Sequence, residues 1–156
     1  MGIGLKRNNI SNSDKYERIS LFVTGIFLGL VFSKGGNPVI FADRISPPAN
    51  FYEFIFQPYP FEWFYWILGV VALINLFKIK WSLAPRNIWA LLPLFWFMWQ
   101  VISSINTVDS RLTSLTLPHF FACILCYFIG FFRSKDFLSY SYDLYAGIFL
   151  GFLWVL

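Results

Sequence analysis

The chain has 156 residues, of which 58% are hydrophobic and 13% charged, and its formal net charge is +4. The charged share is about half that of an ordinary soluble domain, which argues against a soluble globular protein. The Lys and Arg residues flank apolar runs and form no basic patch with polar readout residues, so no nucleic-acid partner is expected. The composition predicts an all-α, polytopic transmembrane helical bundle whose main partners are membrane lipids.

The N-terminal part predicts a tail, a first span and a loop. Residues 1–18 are polar and predict a cytoplasmic tail, and residues 19–33 form the first apolar run. Lys34 follows that run and is expected to extend its amine toward the membrane surface. Residues 39–60 contain four prolines, which exclude a continuous helix. We expect a loop with one short helix at the membrane surface, either a simple anchor or the lip of a lipid-substrate groove.

Four further apolar runs follow, and a segment near 20 residues is long enough to cross the roughly 30 Å hydrocarbon core. Pro93 is expected to bend the third span, and Arg133, Lys135 and Asp136 are expected to end the fourth. The last run reaches the final residue without a flanking charge, so we expect the sequence to be the N-terminal fragment of a longer protein. The predicted spans are residues 19–33, 61–79, 88–102, 112–132 and 137–156.

The distribution of charge predicts the orientation of these five spans. With the N-terminus in the cytoplasm, positive charge is concentrated in the inner segments, as the positive-inside rule requires. The outer segments hold Lys34, Arg44 and Arg111, and the inner segments hold Lys6, Arg7, Lys15, Arg18, Lys78, Lys80, Arg86, Arg133 and Lys135.

Two short motifs predict helix packing. Gly25 with Gly29, and Gly147 with Gly151, form G-x-x-x-G patterns that let another helix approach closely, although such matches are common in Gly-rich spans. The Cys123–Cys126 pair shares a helix face and is interpreted as packing, because zinc needs about four ligands and the sequence has no second pair.

Three polar residues are candidates for function. Arg111 lies in the predicted outer loop, where its planar guanidinium suits a lipid pyrophosphate, or where it pairs with Asp109 in a solvated loop that ends two helices. His119 is either a proton carrier near the membrane surface or the donor of one hydrogen bond to a neighbouring helix. Asp143 is expected at the inner interface. No catalytic residue, metal site or cofactor is predicted from this chain.

One segment carries a family resemblance. Trp99 and Ser103 precede Asp109-Ser110-Arg111 and the next apolar run, and this order resembles the N-terminal half of the O-antigen ligase and polymerase family. Ser110 stands where that family often has a proline. The resemblance implies a bacterial inner-membrane protein that transfers glycan from an undecaprenyl-pyrophosphate carrier on the outer face of the membrane.

The family's functional Arg and His residues lie mainly in a large loop that this chain does not contain. The resemblance therefore implies a scaffold, with Arg111 and His119 as candidate contacts for the lipid pyrophosphate. Its helix partners would come from the remainder of the chain or from another membrane protein. The alternative is a small non-enzymatic membrane protein, either an interaction subunit or a transporter fragment. It is motivated by the G-x-x-x-G faces and by the lack of a chemical motif.

Overall fold

The computed structural model describes residues 12–35, 45–77 and 90–154, and these ranges contain helices and no strands. The predicted all-α class is confirmed for this part of the chain. The helices are α1 (Asn12–Lys34), α2 (Phe51–Phe56), α3 (Phe61–Leu76), α4 (Leu92–Ser103), α5 (Ser110–Ser139) and α6 (Ser141–Leu153), with a 3₁₀ turn at Ser104–Asn106.

Among the described residues, two helices are long and apolar enough to cross a membrane. They are the Asp14–Lys34 part of α1 and the whole of α5, whereas α3 and α6 are shorter apolar helices. The 12 residues of α4 rise about 18 Å, less than the hydrocarbon core of a bilayer.

The ends of several helices differ from the predicted spans. The first described helix begins at Asn12, so residues 12–18 of the predicted tail are helical, while residues 1–11 lie outside the described ranges. The helix of the fourth run continues through Arg133 to Ser139, and the Arg133 side chain is buried in ion pairs. The next helix therefore begins at Ser141, four residues later than predicted.

The predicted second and third spans are described only in part. Phe61 begins α3 as expected and Leu76 ends it, while residues 78–89 lie outside the described ranges. Pro93 does not bend the third helix as expected, because it lies in the first turn of α4. At that position its missing N–H costs no helical hydrogen bond.

Contacts along the helices give their relative directions. The backbone N–H of Tyr59, just before α3, donates to Lys34 at the end of α1 (3.1 Å), so these two helices are antiparallel. Trp96 meets Phe120 edge to face with ring centroids 5.0 Å apart, which places α4 beside α5 in a hairpin. We call the end of the bundle that contains Lys34 and Tyr59 the outer end and the opposite end the inner end, following the predicted orientation.

The buried core lies between α1, α3 and α5. Apolar side chains of these helices and of Tyr59 form this core, and no residue of α4 is a member of it. The buried members are Phe27, Tyr59, Phe64, Leu68, Val71, Ala72 and Ile129.

The closest contact in the bundle is between α1 and α6, which pack in parallel through their glycines. A Cβ atom at Gly29 would lie 2.5 Å from the carbonyl oxygen of Ile148, and one at Gly151 would lie 2.7 Å from that of Ile26. Both distances are shorter than a side-chain carbon tolerates. The two backbones touch, as a G-x-x-x-G surface permits.

This helix pair has an internal symmetry that follows from the sequence. The pentapeptide Gly-Ile-Phe-Leu-Gly occurs at residues 25–29 and again at 147–151. Gly25 faces Gly147 and Gly29 faces Gly151, so each copy of the motif packs against the corresponding residues of the other. The prediction that the glycines permit close approach is confirmed, and their partners are each other.

Candidate functional site

The outer loop between α4 and α5 is ordered by its own polar side chains. The Asp109 carboxylate accepts a hydrogen bond from the backbone N–H of Leu112 (3.0 Å) and caps the N-terminus of α5. The hydroxyls of Thr107 and Thr113 lie 2.7 Å apart across the turn. Asp109 therefore belongs to a polar loop between two helices and caps the second of them, in agreement with one of the two alternatives given for this loop.

The two candidate ligands for a lipid pyrophosphate both lie on α5. Arg111 is an exposed residue of its first turn, and His119 is half-buried further along the helix. The imidazole packs edge to face on the Phe61 ring, with centroids 6.3 Å apart. Eight residues of helix separate the two candidates by about 12 Å along the axis. The structure does not bring them together around one phosphate, and each remains a separate prediction.

Lys34 is buried at the outer end of the bundle, in a set of contacts that the sequence did not predict. Its side chain does not extend outward as expected, because the residue is only 2% exposed. The ammonium group donates to the carbonyl oxygens of Ile55 and, at 3.3 Å, Gln57, where α2 ends. A cation near the last carbonyls of a helix is favoured by the helix dipole. Lys34 therefore ties the short surface helix to the end of α1.

Tyr59 joins these contacts to α6. Its ring lies 5.3 Å from the Lys34 ammonium, and its hydroxyl donates to the Phe54 carbonyl oxygen (3.0 Å). The same hydroxyl accepts a hydrogen bond from the indole of Trp154 (3.2 Å). The outer-end cluster of Lys34, Phe54, Tyr59 and Trp154 thus connects α1, α2, α3 and α6.

Ion pairs connect three helices at the inner end. Arg133 of α5 is 4% exposed and pairs with Glu17 of α1 and with Asp136, whose carboxylate lies 3.3 Å away. It also donates to the Ser20 hydroxyl at 2.6 Å. A buried cation with several partners avoids the cost of an unpaired charge away from water.

A second ion pair joins α1 to α6. The Arg18 guanidinium donates through Nε and Nη2 to the two carboxylate oxygens of Asp143, at 2.9 and 3.0 Å. Asp143 lies at the inner end of the bundle, and its predicted position at a membrane interface stays a prediction. Between α5 and α6, desolvation raises the pKa of Tyr140, and the nearby carboxylates of Asp14, Glu17 and Asp136 raise it further. The phenol is therefore neutral over the physiological pH range.

Asn75 forms the polar contact at the centre of the α1–α3 interface. It is fully buried, and its amide nitrogen donates to the Thr24 hydroxyl (2.9 Å) and to the Val71 carbonyl (2.8 Å). Thr24 in turn donates to the Ser20 carbonyl (2.8 Å), so the contact continues toward the Arg133 ion pairs. A lone Asn inside an apolar run was the available sequence signal for this contact.

Within residues 12–35, 45–77 and 90–154, no group of three or more His, Cys, Asp or Glu side chains comes together to hold a metal ion. Cys123 and Cys126 are exposed on α5 and do not pack in the described interior as expected.

Comparison with known proteins adds no assignment. No family model, curated protein or solved structure matches the chain significantly.

Proposed function

We propose that the chain is a multi-pass protein of the bacterial inner membrane, in which α1 and α5 cross the bilayer in full and the shorter helices α3, α4 and α6 form parts of the predicted crossings at residues 61–79, 88–102 and 137–156. The alternation of helix directions supports this arrangement. In the described contacts α1, α4 and α6 run one way and α3 and α5 run the other. The excess of Lys and Arg at the inner end supports a cytoplasmic N-terminus.

Within this membrane protein, we propose that the chain forms the helix-packing part of an O-antigen ligase-like protein. That protein would handle glycan linked to undecaprenyl pyrophosphate. The observation that carries the proposal is the capped α4–α5 hairpin. It presents Arg111 at the outer end, directly after the Asp109 cap, in the order that resembles the family. A guanidinium there suits the phosphates of a carrier lipid at the outer leaflet.

An apolar groove along α3 and α5 supports the lipid part of this proposal. It has a volume of about 590 Å³ and is lined almost wholly by apolar atoms, including those of Trp66, Val70, Leu73 and Leu125. Gly69 leaves open space on this face of α3. A polyprenyl chain needs such an apolar path below its charged headgroup.

Photo-crosslinking to a carrier-lipid probe tests the proposal. The protein in lipid nanodiscs is exposed to undecaprenyl pyrophosphate bearing a diazirine, and labelled peptides are mapped. We expect labelling on the loop and the first turns of α5. Because a hydrogen bond to a charged group contributes about 1.5–3 kcal/mol, Arg111→Gln should lower this labelling roughly tenfold or more.

Three controls separate recognition of the phosphate from simple partitioning into the membrane. Arg111→Lys keeps the charge but loses the planar fork, so labelling should be intermediate. Lys135→Gln, an equal change of charge at the inner end, should leave labelling unchanged. Undecaprenol, which lacks the phosphates, should label wild type and Arg111→Gln equally. Pyrophosphate-probe labelling that does not depend on Arg111 would contradict the proposal.

A non-enzymatic interaction subunit is the second candidate, and the exposed surface of α4 favours it. Within Leu92–Ser103 no side chain is buried, and Phe95 and Trp99 are 67% and 65% exposed. The G-x-x-x-G faces no longer argue for a partner, since they cover each other. A partner recovered in fixed stoichiometry, and lost when Phe95 and Trp99 are both replaced by Ala, would favour this function over the first.

A further inference from the structure

A groove at the inner end of the α1–α6 pair combines charged and apolar walls. Its volume is about 300 Å³, and it is lined by Lys15, Arg18, Ile19, Phe22 and Asp143. Four of these residues belong to α1 and one to α6. The groove therefore lies along the seam of the closest helix contact in the bundle.

The four α1 residues form one stripe with a polar and an apolar half. Lys15, Arg18, Ile19 and Phe22 are spaced at i, i+3, i+4 and i+7, which places them on one face of the helix. The two cations come first, and the two apolar side chains follow over about 10 Å of helix. The stripe therefore has the polarity of a phospholipid, with charge at the membrane surface and apolar surface toward the centre.

The ion pair with Asp143 holds one of the two cations at the mouth of the groove. Arg18 uses Nε and Nη2 for that carboxylate, so Nη1 stays outside the pair. The Lys15 ammonium adds a second positive charge, which gives the lining two cations and one carboxylate. The mouth keeps a net positive charge, which favours a phosphate oxygen.

We propose that this groove binds an anionic glycerophospholipid of the inner leaflet, with the phosphate at Lys15 and Arg18 and an acyl chain along Ile19 and Phe22. Basic pockets between membrane helices on the cytoplasmic side are suited to acidic lipid headgroups. Ile19 is 62% exposed, and an acyl chain would cover it where a free phosphate ion would not. This inference rests on the proposed membrane location and on α1 crossing with its N-terminus inside.

Native mass spectrometry of the full chain, released from nanodiscs of mixed phosphatidylglycerol and phosphatidylcholine, tests the proposal. We expect selective retention of phosphatidylglycerol by the wild type. Since each basic side chain near an anionic surface contributes about 1 kcal/mol, Lys15→Gln should lower that retention about fivefold. Asp143→Asn removes the competing carboxylate and releases Arg18, so retention should rise.

Lys135→Gln is the matched control, because Lys135 is an exposed lysine of α5 at the same end of the bundle. Its retention of phosphatidylglycerol should equal that of the wild type. Equal losses of phosphatidylglycerol retention in Lys15→Gln and Lys135→Gln would show that overall positive charge, and not the groove, retains the lipid. Equal retention of the two lipids by the wild type would overturn the headgroup site. Displacement of the lipid by inorganic phosphate would overturn the acyl-chain contact. Failure of the chain to enter nanodiscs would refute the membrane location itself.

Discussion

The α1–α6 pair and the α4–α5 hairpin are held together in different ways. In the pair, two backbones touch through opposed glycines, and an ion pair joins Arg18 to Asp143, 125 positions away in the sequence. In the hairpin, a short capped loop and aromatic contacts such as Trp96–Phe120 join helices that are neighbours in sequence. Close backbone packing therefore holds the α1–α6 pair together, whereas the short loop between neighbouring helices holds the hairpin together.

The difference also appears in what each region leaves uncovered. The glycine faces of α1 and α6 are buried: Gly25, Gly29, Gly147 and Gly151 lie against each other. On α4, large side chains such as Phe95 and Trp99 stay exposed, and they add little to the stability of the described bundle. Substitutions in the α1–α6 pair, and in the contacts that join it to the other helices, should therefore lower stability strongly. Substitutions on the exposed face of α4 should leave stability nearly unchanged.

Arg133 joins the two regions, because it lies on α5 of the hairpin and pairs with α1, and its loss should have the largest effect. Arg133→Met leaves Glu17 and Asp136 without their cation. Breaking a buried ion pair in this way costs about 3–5 kcal/mol, and because these carboxylates are 22% and 33% exposed we expect the lower end of that range. Thermal or denaturant unfolding in detergent measures the loss. Lys135→Met, two positions along the same helix, is the control and should unfold within error of the wild type.

Gly147→Leu should disrupt the α1–α6 pair and cost roughly 1–3 kcal/mol or more, because the added carbons meet backbone atoms that cannot move aside independently. Cross-linking between α1 and α6 measures this disruption directly. In a chain with Cys123 and Cys126 replaced by Ala, Phe32→Cys and Phe152→Cys introduce two thiols. A bismaleimide should join these thiols, because the two Phe rings lie 6.4 Å apart. Gly147→Leu should abolish this product.

Gly130→Leu is the control for that experiment, since a Cβ there meets nothing within 4 Å. It makes the same chemical change in α5 and should leave the cross-link intact. If Gly147→Leu preserved the product as well as Gly130→Leu does, the close contact between the two helices would be refuted.

Asn75→Leu should have a moderate effect, about 0.6–1.7 kcal/mol, the range of hydrogen bonds between membrane helices. The substitution removes the contact with Thr24 but keeps a side chain of similar size in the interior. Thr24 still donates to Ser20, so no new unpaired hydroxyl results. Val71→Leu in the same interface tests whether any loss comes from packing alone. A larger loss of stability in Val71→Leu than in Asn75→Leu would show that side-chain packing, and not the hydrogen bond, stabilises this interface.

Trp99→Leu on the hairpin should change stability least, by under about 0.5 kcal/mol, because the indole is 65% exposed and surface substitutions have small effects. Unfolding in detergent, in parallel with the variants above, provides the comparison. A loss as large as that of Asn75→Leu would show that the exposed face of α4 is covered by a partner in the purified protein.

The sequence predicted those features that follow from local composition. Apolar runs predicted the helices, and the polar segment around Asp109 predicted the break between α4 and α5. In the described part of the predicted loop, residues 45–60, the prolines leave one short helix, α2. Each of these depends on neighbouring residues alone, which is why the pattern was sufficient.

The features that the sequence did not predict depend on contacts between distant residues. Arg133 was expected to end a helix because an isolated charge belongs at the membrane surface, but Glu17 makes its burial possible. Lys34 was expected to point outward, but the carbonyl groups at the end of α2 hold it inside. The repeated pentapeptide was visible in the sequence, but composition could not show that its two copies pack together.

The pairing of α1 with α6 also has a consequence for biosynthesis. The 125 positions between Arg18 and Asp143 take about 6–25 s to translate at 5–20 residues per second. During that interval the glycine face of α1 has no partner from its own chain, while the α4–α5 hairpin can form as soon as it is made. Quality-control proteases and chaperones would therefore meet a partly assembled protein whose first helix still lacks its partner, and that partner arrives with α6.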